Sequence, residues 1–276
     1  DVTENTFNIV QCTGVGTLSL VLRAGEVVDA SQFGITTSLA NSGAAFNAMQ
    51  DLGLPTTMSA GTYATTEPII FKVDSRAIGG RVVFDLDSLS AGAIGGFSEV
   101  EADIVGFDFD GANTTTMQSG FYQDLDFTPT RRLELDVLAR NITNTDSTLP
   151  AHGVVLVLAS TATTTAIKLG GVLEGHDVTA THNGIVGDAA GSGSGVLISM
   201  NKTSGVVADV ILDNPRASNV YPAEDASGIH VLDSTSTPLD SLSKYVINNP
   251  KAASCSKRAV KIQSPNTIIN DMFVDL

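Results

Sequence analysis

Short stretches of alternating apolar and other residues recur along the C-terminal half of the chain. A glycine precedes three of the four stretches, and an alanine precedes the last. In the last three stretches, Val or Ile stands at alternate positions and the residue between them varies: Val196 and Ile198 around Leu197, Ile229 and Val231 around His230, and Val260 and Ile262 around Lys261. A period of two predicts β-strands that bury one face. His230 is therefore expected to point away from the core.

A second type of strand alternates with the first and ends in turn-forming residues. The segment Ile211-Leu212-Asp213-Asn214-Pro215 is followed thirty-five residues later by Val246-Ile247-Asn248-Asn249-Pro250. Looser copies begin at Val137 and Val172, and another begins at Phe273. Pro has no N–H to donate to a strand ladder, so each Asn-Pro pair predicts the end of a strand.

The repeated unit holds two or more strands and no useful amphipathic helix. This pattern predicts an all-β fold, a right-handed single-stranded parallel β-helix in which like residues stack at about 4.8 Å. Asn214 would lie over Asn249 and form an amide hydrogen-bond ladder. In the same alignment four polar residues would occupy equivalent places: Glu174, Asp213, Asn248 and Asp275. The alternative is chance similarity within an ordinary β-sandwich.

The N-terminal part is less regular. It predicts a strand segment over 1–28, a cap region with a short helix over 29–60, and the parallel β-helix over 61–276, truncated at its C-terminus. Ser42 is the expected N-cap of the helix, and Gly53 is expected to lie near its end.

Composition and charge exclude several classes of partner. Hydrophobic residues make up 42% of the 276 residues and aromatic residues 5%, so the core is expected to consist mostly of Val, Ile, Leu and Ala. The formal net charge of −15 disfavours nucleic acid. No apolar run approaches about 18 residues, so membrane insertion is not expected. The two cysteines form no metal motif, and no phosphate-binding or dinucleotide motif is present, so no cofactor and no metal are expected.

The segment from Asp29 onward resembles the entry to pectate-lyase-like β-helix domains, especially those of phage tailspikes. In that family an Asp-x-x-x-(Tyr/Phe)-Gly strand precedes an Ala-rich capping helix, and a Gly-Thr-Tyr turn leads into the first coil. Here Asp29, Phe33-Gly34, Ala44-Ala45-Phe46 and Gly61-Thr62-Tyr63 fill that pattern. The family's acidic Asp-Asp-Thr before the helix is replaced by Leu39-Ala40-Asn41-Ser42.

The resemblance covers roughly residues 28–276 and implies a virion tailspike-like or extracellular protein. Such a protein would bind and depolymerise a bacterial surface polysaccharide, as a glycoside hydrolase or a polysaccharide lyase, and would form a homotrimer. Two alternatives stay open: a non-catalytic receptor-binding or structural spike, and a secreted microbial polysaccharide lyase or epimerase.

Candidate catalytic residues follow from the predicted stacking. Glu174 and Asp213, one coil apart, would lie about 5 Å apart, which is the carboxyl separation of a retaining glycosidase. Their repulsion would raise one pKa and give an acid and a base. The alternative is that both are solvated turn formers at strand ends.

A second candidate group lies in the loop after the Asp213 strand. Glu224, Asp225 and His230 are candidate catalytic residues there, because long loops on a rigid fold often form its binding groove. The residues expected to bind substrate are Tyr221, Arg216, Lys251 and Tyr245. The alternative is an ordinary surface loop.

Overall fold

The computed structural model describes residues 27–89, 93–98, 100–111, 117–126, 132–146, 149–160, 164–180, 191–202, 207–222, 225–233, 244–264 and 266–275. These residues form one α-helix, one 3-10 turn and two β-sheets, of twelve and seven strands. The strand segment predicted over residues 1–28 falls almost wholly outside the described residues.

Twelve strands make up the larger sheet. They are β1 (Val28–Asp29), β2 (Thr56–Ala64), β4 (Ser75–Asp85), β6 (Ile104–Asp110), β8 (Arg132–Asn144), β10 (Thr164–Ala180), β12 (Val207–Asp213), β13 (Arg216–Val220), β15 (Lys244–Asn248), β16 (Lys251–Cys255), β18 (Thr267–Asn270) and β19 (Phe273–Asp275). Seven strands make up the smaller sheet. They are β3 (Ile69–Phe71), β5 (Ala93–Ser98), β7 (Met117–Asp126), β9 (Ala151–Ser160), β11 (Gly193–Lys202), β14 (Ala226–Asp233) and β17 (Arg258–Gln263).

The chain passes from one sheet to the other and back throughout the described residues. From β2 to β17, each segment of the larger sheet is followed by a strand of the smaller sheet. Such a segment and the strand that follows it form one layer, and neighbouring layers are joined by parallel pairing in both sheets. The prediction of an all-β fold of parallel strands is confirmed.

Stacking in the smaller sheet follows the period-two pattern of the sequence. Val196 is in register with Ile229, and Ile229 with Val260, while Leu197, His230 and Lys261 form the neighbouring row. Val196 and Ile229 are fully buried, whereas Leu197 and His230 are partly exposed. The buried Val and Ile rows therefore face the core, as the alternation predicted.

The two Asn-Pro segments stack directly on each other, as predicted. Asn249 Nδ2 donates to Asn214 Oδ1 at 3.3 Å, and Asn248 Nδ2 donates to Asp213 Oδ1 at 2.7 Å. The ladder continues one layer further, because Asn270 Nδ2 donates to Asn248 Oδ1 at 2.8 Å. Each turn residue is left-handed, with φ of 51° at Asn214 and 50° at Asn249, a conformation that Asn tolerates better than most residues. These turns divide the later segments of the larger sheet into two strands each.

The predicted column that contained Glu174 is wrong in register. Glu174 is in register with Arg216, not with Asp213, and Asp275 is in register with Ala253, not with Asn248. The bend in β10 is made by Gly171, with φ of 95°, instead of by an Asn-Pro turn. Segments with similar sequences therefore do not occupy equivalent positions in the stacked layers.

A second ladder of left-handed residues runs through the larger sheet. Its members are Asn141, Asp177, Asn219 and Ser254, whose φ angles lie between 50° and 55°. Asn141 Nδ2 donates to Asp110 Oδ1 at 2.8 Å, and Asn219 Nδ2 donates to Asp177 Oδ1 at 2.8 Å. Side-chain amides thus connect layers at two separate bends.

The glycines that precede the alternating stretches lie where the two sheets meet. A Cβ on Gly153 would lie 2.5 Å from Gly195 O and 2.9 Å from the Cα of Gly175. A Cβ on Gly175 would lie 1.9 Å from Gly195 O. Only the absence of side chains allows the two backbones to approach this closely, which explains the recurring glycine.

The core differs between the two ends of the molecule. Its C-terminal layers contain the expected Val, Ile, Leu and Ala, but the first layers hold a cluster of phenylalanines. Phe46 of the helix α1 (Ser42–Gln50) lies 5.3 Å from Phe71 and 5.5 Å from Phe84 between ring centroids, and Phe71 lies 5.1 Å from Phe107. The helix is therefore packed into the core through its aromatic ring.

Helix α1 also covers the exposed edge of β3. Asn47 Oδ1 accepts a hydrogen bond from the Ile70 N–H at 2.8 Å, and Gln50 Oε1 accepts from the N–H groups of Lys72 and Val73 at 2.9 and 3.2 Å. These side chains satisfy backbone donors that an open sheet edge would leave unpaired. The expected capping helix is thus present between residues 29 and 60, and β2 (Thr56–Ala64) continues across the predicted boundary.

The start of the helix differs from the prediction. Asn41, not Ser42, is the N-cap, and its side chain makes no capping hydrogen bond. Asn41 Nδ2 instead donates to Glu67 Oε1 at 3.0 Å, which ties the helix start to the segment before β3. No helix among the described residues is long and apolar enough to cross a membrane.

Candidate functional site

Two rows of side chains run across the strands on the outer face of the larger sheet. The Glu174 row consists of Asp108, Leu138, Glu174, Arg216, Lys251 and Phe273, each in register with the next. The His176 row consists of Asp110, Arg140, His176, Ser218, Ala253 and Asp275. The residues between the two rows, such as Ala139, Ala217 and Ala252, are buried, so strand alternation directs both rows outward.

Glu174 lies at the centre of the first row and is surrounded by cationic groups. Its Oε1 is 3.5 Å from a guanidinium nitrogen of Arg81 and 3.9 Å from one of Arg216, and its Oε2 is 3.1 Å from His176 Nε2. The hydrogen bond with His176, together with the charges of Arg216, His176 and Arg81, lowers the pKa of Glu174 although burial opposes this. With a side chain only 16% exposed, Glu174 is a carboxylate held ionised.

His176 contacts Glu174 of the first row and Ser218 of its own row through its two ring nitrogens. Nε2 lies 3.1 Å from Glu174 Oε2, and Nδ1 lies 2.7 Å from Ser218 Oγ on the neighbouring strand. A neutral ring would donate from Nε2 to the carboxylate and accept from the serine hydroxyl at Nδ1. The ring is therefore fixed in orientation, and it positions Glu174.

Arg216 and Lys251 follow Glu174 in the row as neighbouring cations. They are Cα partners in the parallel pair of β13 and β16, and both are exposed, Arg216 with 44% of its side chain. Phe273 is the next member of the row and is 58% exposed. A carboxylate, two cations and an open aromatic ring thus stand in one line. The Cα atoms of neighbouring members lie one strand spacing apart, about 4.8 Å.

At the other end of the row Asp108 is almost wholly buried. It is 3% exposed and accepts a hydrogen bond from Arg140 Nε at 3.1 Å, while Arg140 also pairs with Asp110 at 2.9 Å. Desolvation raises the pKa of Asp108 to about 6, although the charge of Arg140 opposes this rise. Asp108 and Glu174, separated by Leu138, therefore have pKa values shifted in opposite directions.

The second predicted group is partly brought together on the smaller sheet. Asp225 pairs with Arg258 and, at 2.6 Å, with Lys261 Nζ, and these hydrogen bonds lower its pKa against the effect of burial. His230 is the register partner of Lys261 and lies 2.8 Å from Gln263 Oε1. Burial lowers the pKa of His230. The group is closed by its own ion pairs, and Glu224 lies outside the described residues.

The remaining predicted residues do not join either group. Asp213 accepts the ladder hydrogen bond from Asn248 and lies three residues from Arg216, so it is not stacked on Glu174. Tyr245 is 1% exposed and donates its hydroxyl to Asp233 Oδ2 at 2.8 Å, which leaves no ring face for a sugar. Tyr221 is 48% exposed beyond the end of β13.

Several members of the site were not singled out from the sequence as site residues. Arg81 lies on β4, three strands before β10 in the sheet, and Asp108 lies on β6, two strands before it. Their position relative to Glu174 depends on how these strands are aligned, which the sequence does not show. The sequence did contain a signal for Phe273, because it follows the turn residue Asp271 by two positions. Arg216 and Lys251 follow the equivalent turn residues by the same distance, so the three residues could have been aligned in one row. The described residues contain no group of three or more His, Cys, Asp or Glu side chains that could hold a metal ion.

Comparison with known proteins adds little to this description. No family model matches the sequence, and no curated protein matches it. Among solved structures the chain is similar to the N-terminal fragment of gene product 12 of bacteriophage phi29, with 12% identity over 90% of this chain and 53% of that chain, and a TM-score of 0.34. The chain spans about half the length of that structure, and a similarity of this degree carries no argument about fold or activity.

Proposed function

We propose that this chain is a tailspike-like virion protein that binds a bacterial surface polysaccharide on the outer face of its larger sheet. The parallel strands that alternate between the two sheets would form a right-handed single-stranded β-helix. Three copies of the chain would assemble into a homotrimer. The sequence resemblance of the cap region supports the proposal, together with the helix that covers the edge of β3.

The Glu174 row carries the proposal. It offers hydrogen-bonding groups and an open aromatic ring along one line, which suits a ligand that is itself a linear chain of polar units with apolar faces. Phe273 would stack on a sugar ring, and Arg216 and Lys251 would bind polar or charged substituents. Glu174 and His176 would hold Arg216 in place.

Binding by purified protein to a panel of bacterial surface polysaccharides tests the proposal. We expect one or more polysaccharides to bind, and we expect Phe273→Ala to weaken binding by about 1–2 kcal/mol through loss of ring stacking. Met272→Ala is the matched control, because Met272 is an exposed apolar neighbour that lies outside the row. Binding that is equally strong in Phe273→Ala, or no binding to any polysaccharide, would contradict the proposal.

Depolymerisation is a second candidate function, favoured by the opposite pKa shifts of Asp108 and Glu174. Two carboxyl groups with pKa values pushed apart are the usual acid and base pair. Their Cα atoms lie two strand spacings apart, about 10 Å, with Leu138 between them. Asp108 would be the acid and Glu174 the base, and the lowered pKa of Glu174 makes it a weaker base than an ordinary glutamate.

Reducing ends released from a bound polysaccharide distinguish a depolymerase from a binder. In a depolymerase, Asp108→Asn would stop the release and leave binding intact, and the rate would fall as the pH rises through about 6, where Asp108 loses its proton. An eliminative lyase would instead produce an unsaturated uronate, detected by ultraviolet absorbance. A bound polysaccharide that is left uncut would establish a non-catalytic receptor-binding spike.

A further inference from the structure

We propose that Arg216 and Lys251 form a subsite for an anionic group of the polysaccharide, a carboxylate or a phosphate, so that the ligand is an acidic glycan. This inference rests on the proposed function and adds the chemical class of the ligand. Its starting point is the placement of two cations as direct neighbours in the Glu174 row.

Like charges on neighbouring strands repel each other. Arg216 and Lys251 are register partners whose Cα atoms lie about 4.8 Å apart, and in such pairs opposite charges stabilise a sheet and like charges destabilise it. Elsewhere on the outer surface cations stand beside carboxylates, as Arg76 does beside Glu134 and Arg258 beside Asp225. The pair at Arg216 and Lys251 is therefore unfavourable unless an anion joins it.

The nearby carboxylate does not neutralise this pair. Glu174 Oε1 lies 3.9 Å from Arg216, farther than the 3.5 Å to Arg81, and Glu174 Oε2 is engaged by His176. Lys251 forms no ion pair with any residue that the structure describes. Arg81 is paired with Asp136 at 2.6 Å, so Glu174 balances at most the charge of Arg216. The ammonium group of Lys251 then adds a surplus positive charge on the exposed surface.

The two cations have complementary binding properties. The planar guanidinium of Arg216 presents paired N–H donors that match the oxygens of a carboxylate or a phosphate, whereas Lys251 adds a compact point charge. Phe273, the next member of the row, would take the apolar face of the sugar that carries the charged group. The anionic group and its ring would therefore be bound by consecutive layers.

The negative net charge of the chain disfavours ligands with a high density of negative charge. A chain with a net charge of −15 repels a nucleic acid, which carries a charge at every phosphate. A glycan with one charge in each repeating unit has a lower charge density and is repelled less. The local pair of cations can then bind one charged group at a time.

The test measures affinity of the full chain for acidic and neutral bacterial polysaccharides and for a single-stranded DNA oligonucleotide. We expect acidic polysaccharides to bind and Arg216→Gln and Lys251→Gln each to weaken that binding by about tenfold or more, because each removes a charge-assisted contact. Lys251→Arg should retain most of the affinity. Lys72→Gln, which removes a positive charge just after β3, should leave it unchanged.

Chemical treatment of the bound polysaccharide identifies the anionic group. Reduction of uronate carboxyls to alcohols abolishes binding if the group is a carboxylate, and removal of phosphate abolishes binding if it is a phosphate. The free Lys251→Gln protein should be at least as stable as the natural chain, since the substitution removes a repulsion. A loss of stability would show that Lys251 has a structural role and would contradict the inference.

These measurements distinguish failure of the anionic subsite from failure of the proposed function. Equal binding of neutral polysaccharides, or undiminished binding of acidic ones by both glutamine variants, would overturn the anionic subsite and leave the proposed function standing. Absence of binding to every polysaccharide would overturn both. Tighter binding of the oligonucleotide than of any glycan would show that the cations serve another class of ligand.

Discussion

At the scale of single residues, neighbouring positions on one face acquire opposite electrostatic character. Asp108 and Glu174 belong to the same outward row, yet burial raises the pKa of Asp108 to about 6, while the contact with His176 and the charges around it lower the pKa of Glu174. The difference arises from burial and from their partners, because Asp108 is desolvated and shares Arg140 with Asp110. Glu174 is hydrogen-bonded to His176 and lies near two guanidinium groups. The same side-chain chemistry thus gives a partly protonated acid and a fixed anion.

The first prediction concerns the stability of the Asp108→Asn variant. The folded-state pKa of Asp108 lies above its ordinary value of 3.8, so its favourable contribution is present at low pH and is lost as the pH rises through about 6. An asparagine stays neutral and avoids this loss. As the pH rises from 4 to 7, the variant should therefore gain about 2 kcal/mol of stability relative to the natural chain.

Urea unfolding of both proteins at pH 4 and pH 7 measures this difference. Asp85→Asn is a suitable control, because Asp85 is a carboxylate on the adjacent strand β4 that is only partly buried. Parallel pH dependences in the natural chain and in Asp108→Asn would show that the Asp108 carboxyl is not desolvated in the folded state.

At the scale of secondary-structure elements, the turns determine how the strands stack. Asn214 and Asn249 adopt left-handed conformations, join one layer to the next by a side-chain hydrogen bond and divide the larger sheet's segments in two. Their positions also determine how the next two strands, β13 and β16, align. Arg216 and Lys251 each stand two residues after the turn residue and are paired with each other. The alignment of these two members of the Glu174 row therefore follows from the turn.

Substitutions at Asn249 separate the two roles of the turn residue. Asn249→Ala should destabilise the protein by about 1–2 kcal/mol, because alanine is strained at a φ of 50° and loses the ladder hydrogen bond. Asn249→Gly removes the amide but tolerates the conformation, so it should cost less. Thermal unfolding of both variants gives the comparison, and an alanine variant as stable as the glycine variant would contradict the role of the left-handed turn.

The sequence predicts the elements better than it predicts their register. Period-two alternation and the repeated Asn-Pro turn are local signals, and both are correct in the structure. The alignment of Glu174 with Asp213 failed because β10 bends at Gly171, and glycine has no distinctive pattern around it. Arg81 reaches Glu174 across three strand spacings, a relation that only the complete set of registers can reveal.

At the scale of the whole molecule, stacking turns single residues into continuous surfaces. Parallel layers place equivalent outward positions in rows, and the left-handed turns keep these rows aligned over β10, β13, β16 and β19. The helix at the other end covers an edge that would otherwise pair with another chain. A continuous row on the outer face is suited to a polymer ligand, and we propose that this face is the one that binds.

Hydroxyl-radical footprinting of the protein with and without a bound polysaccharide tests this claim most directly. We expect protection of the Glu174 row, above all at Phe273, with Phe97 and Tyr122 on the smaller sheet reacting equally in both samples. Protection of Phe97 and Tyr122, with Phe273 left unprotected, would place the polysaccharide on the opposite sheet and contradict the account.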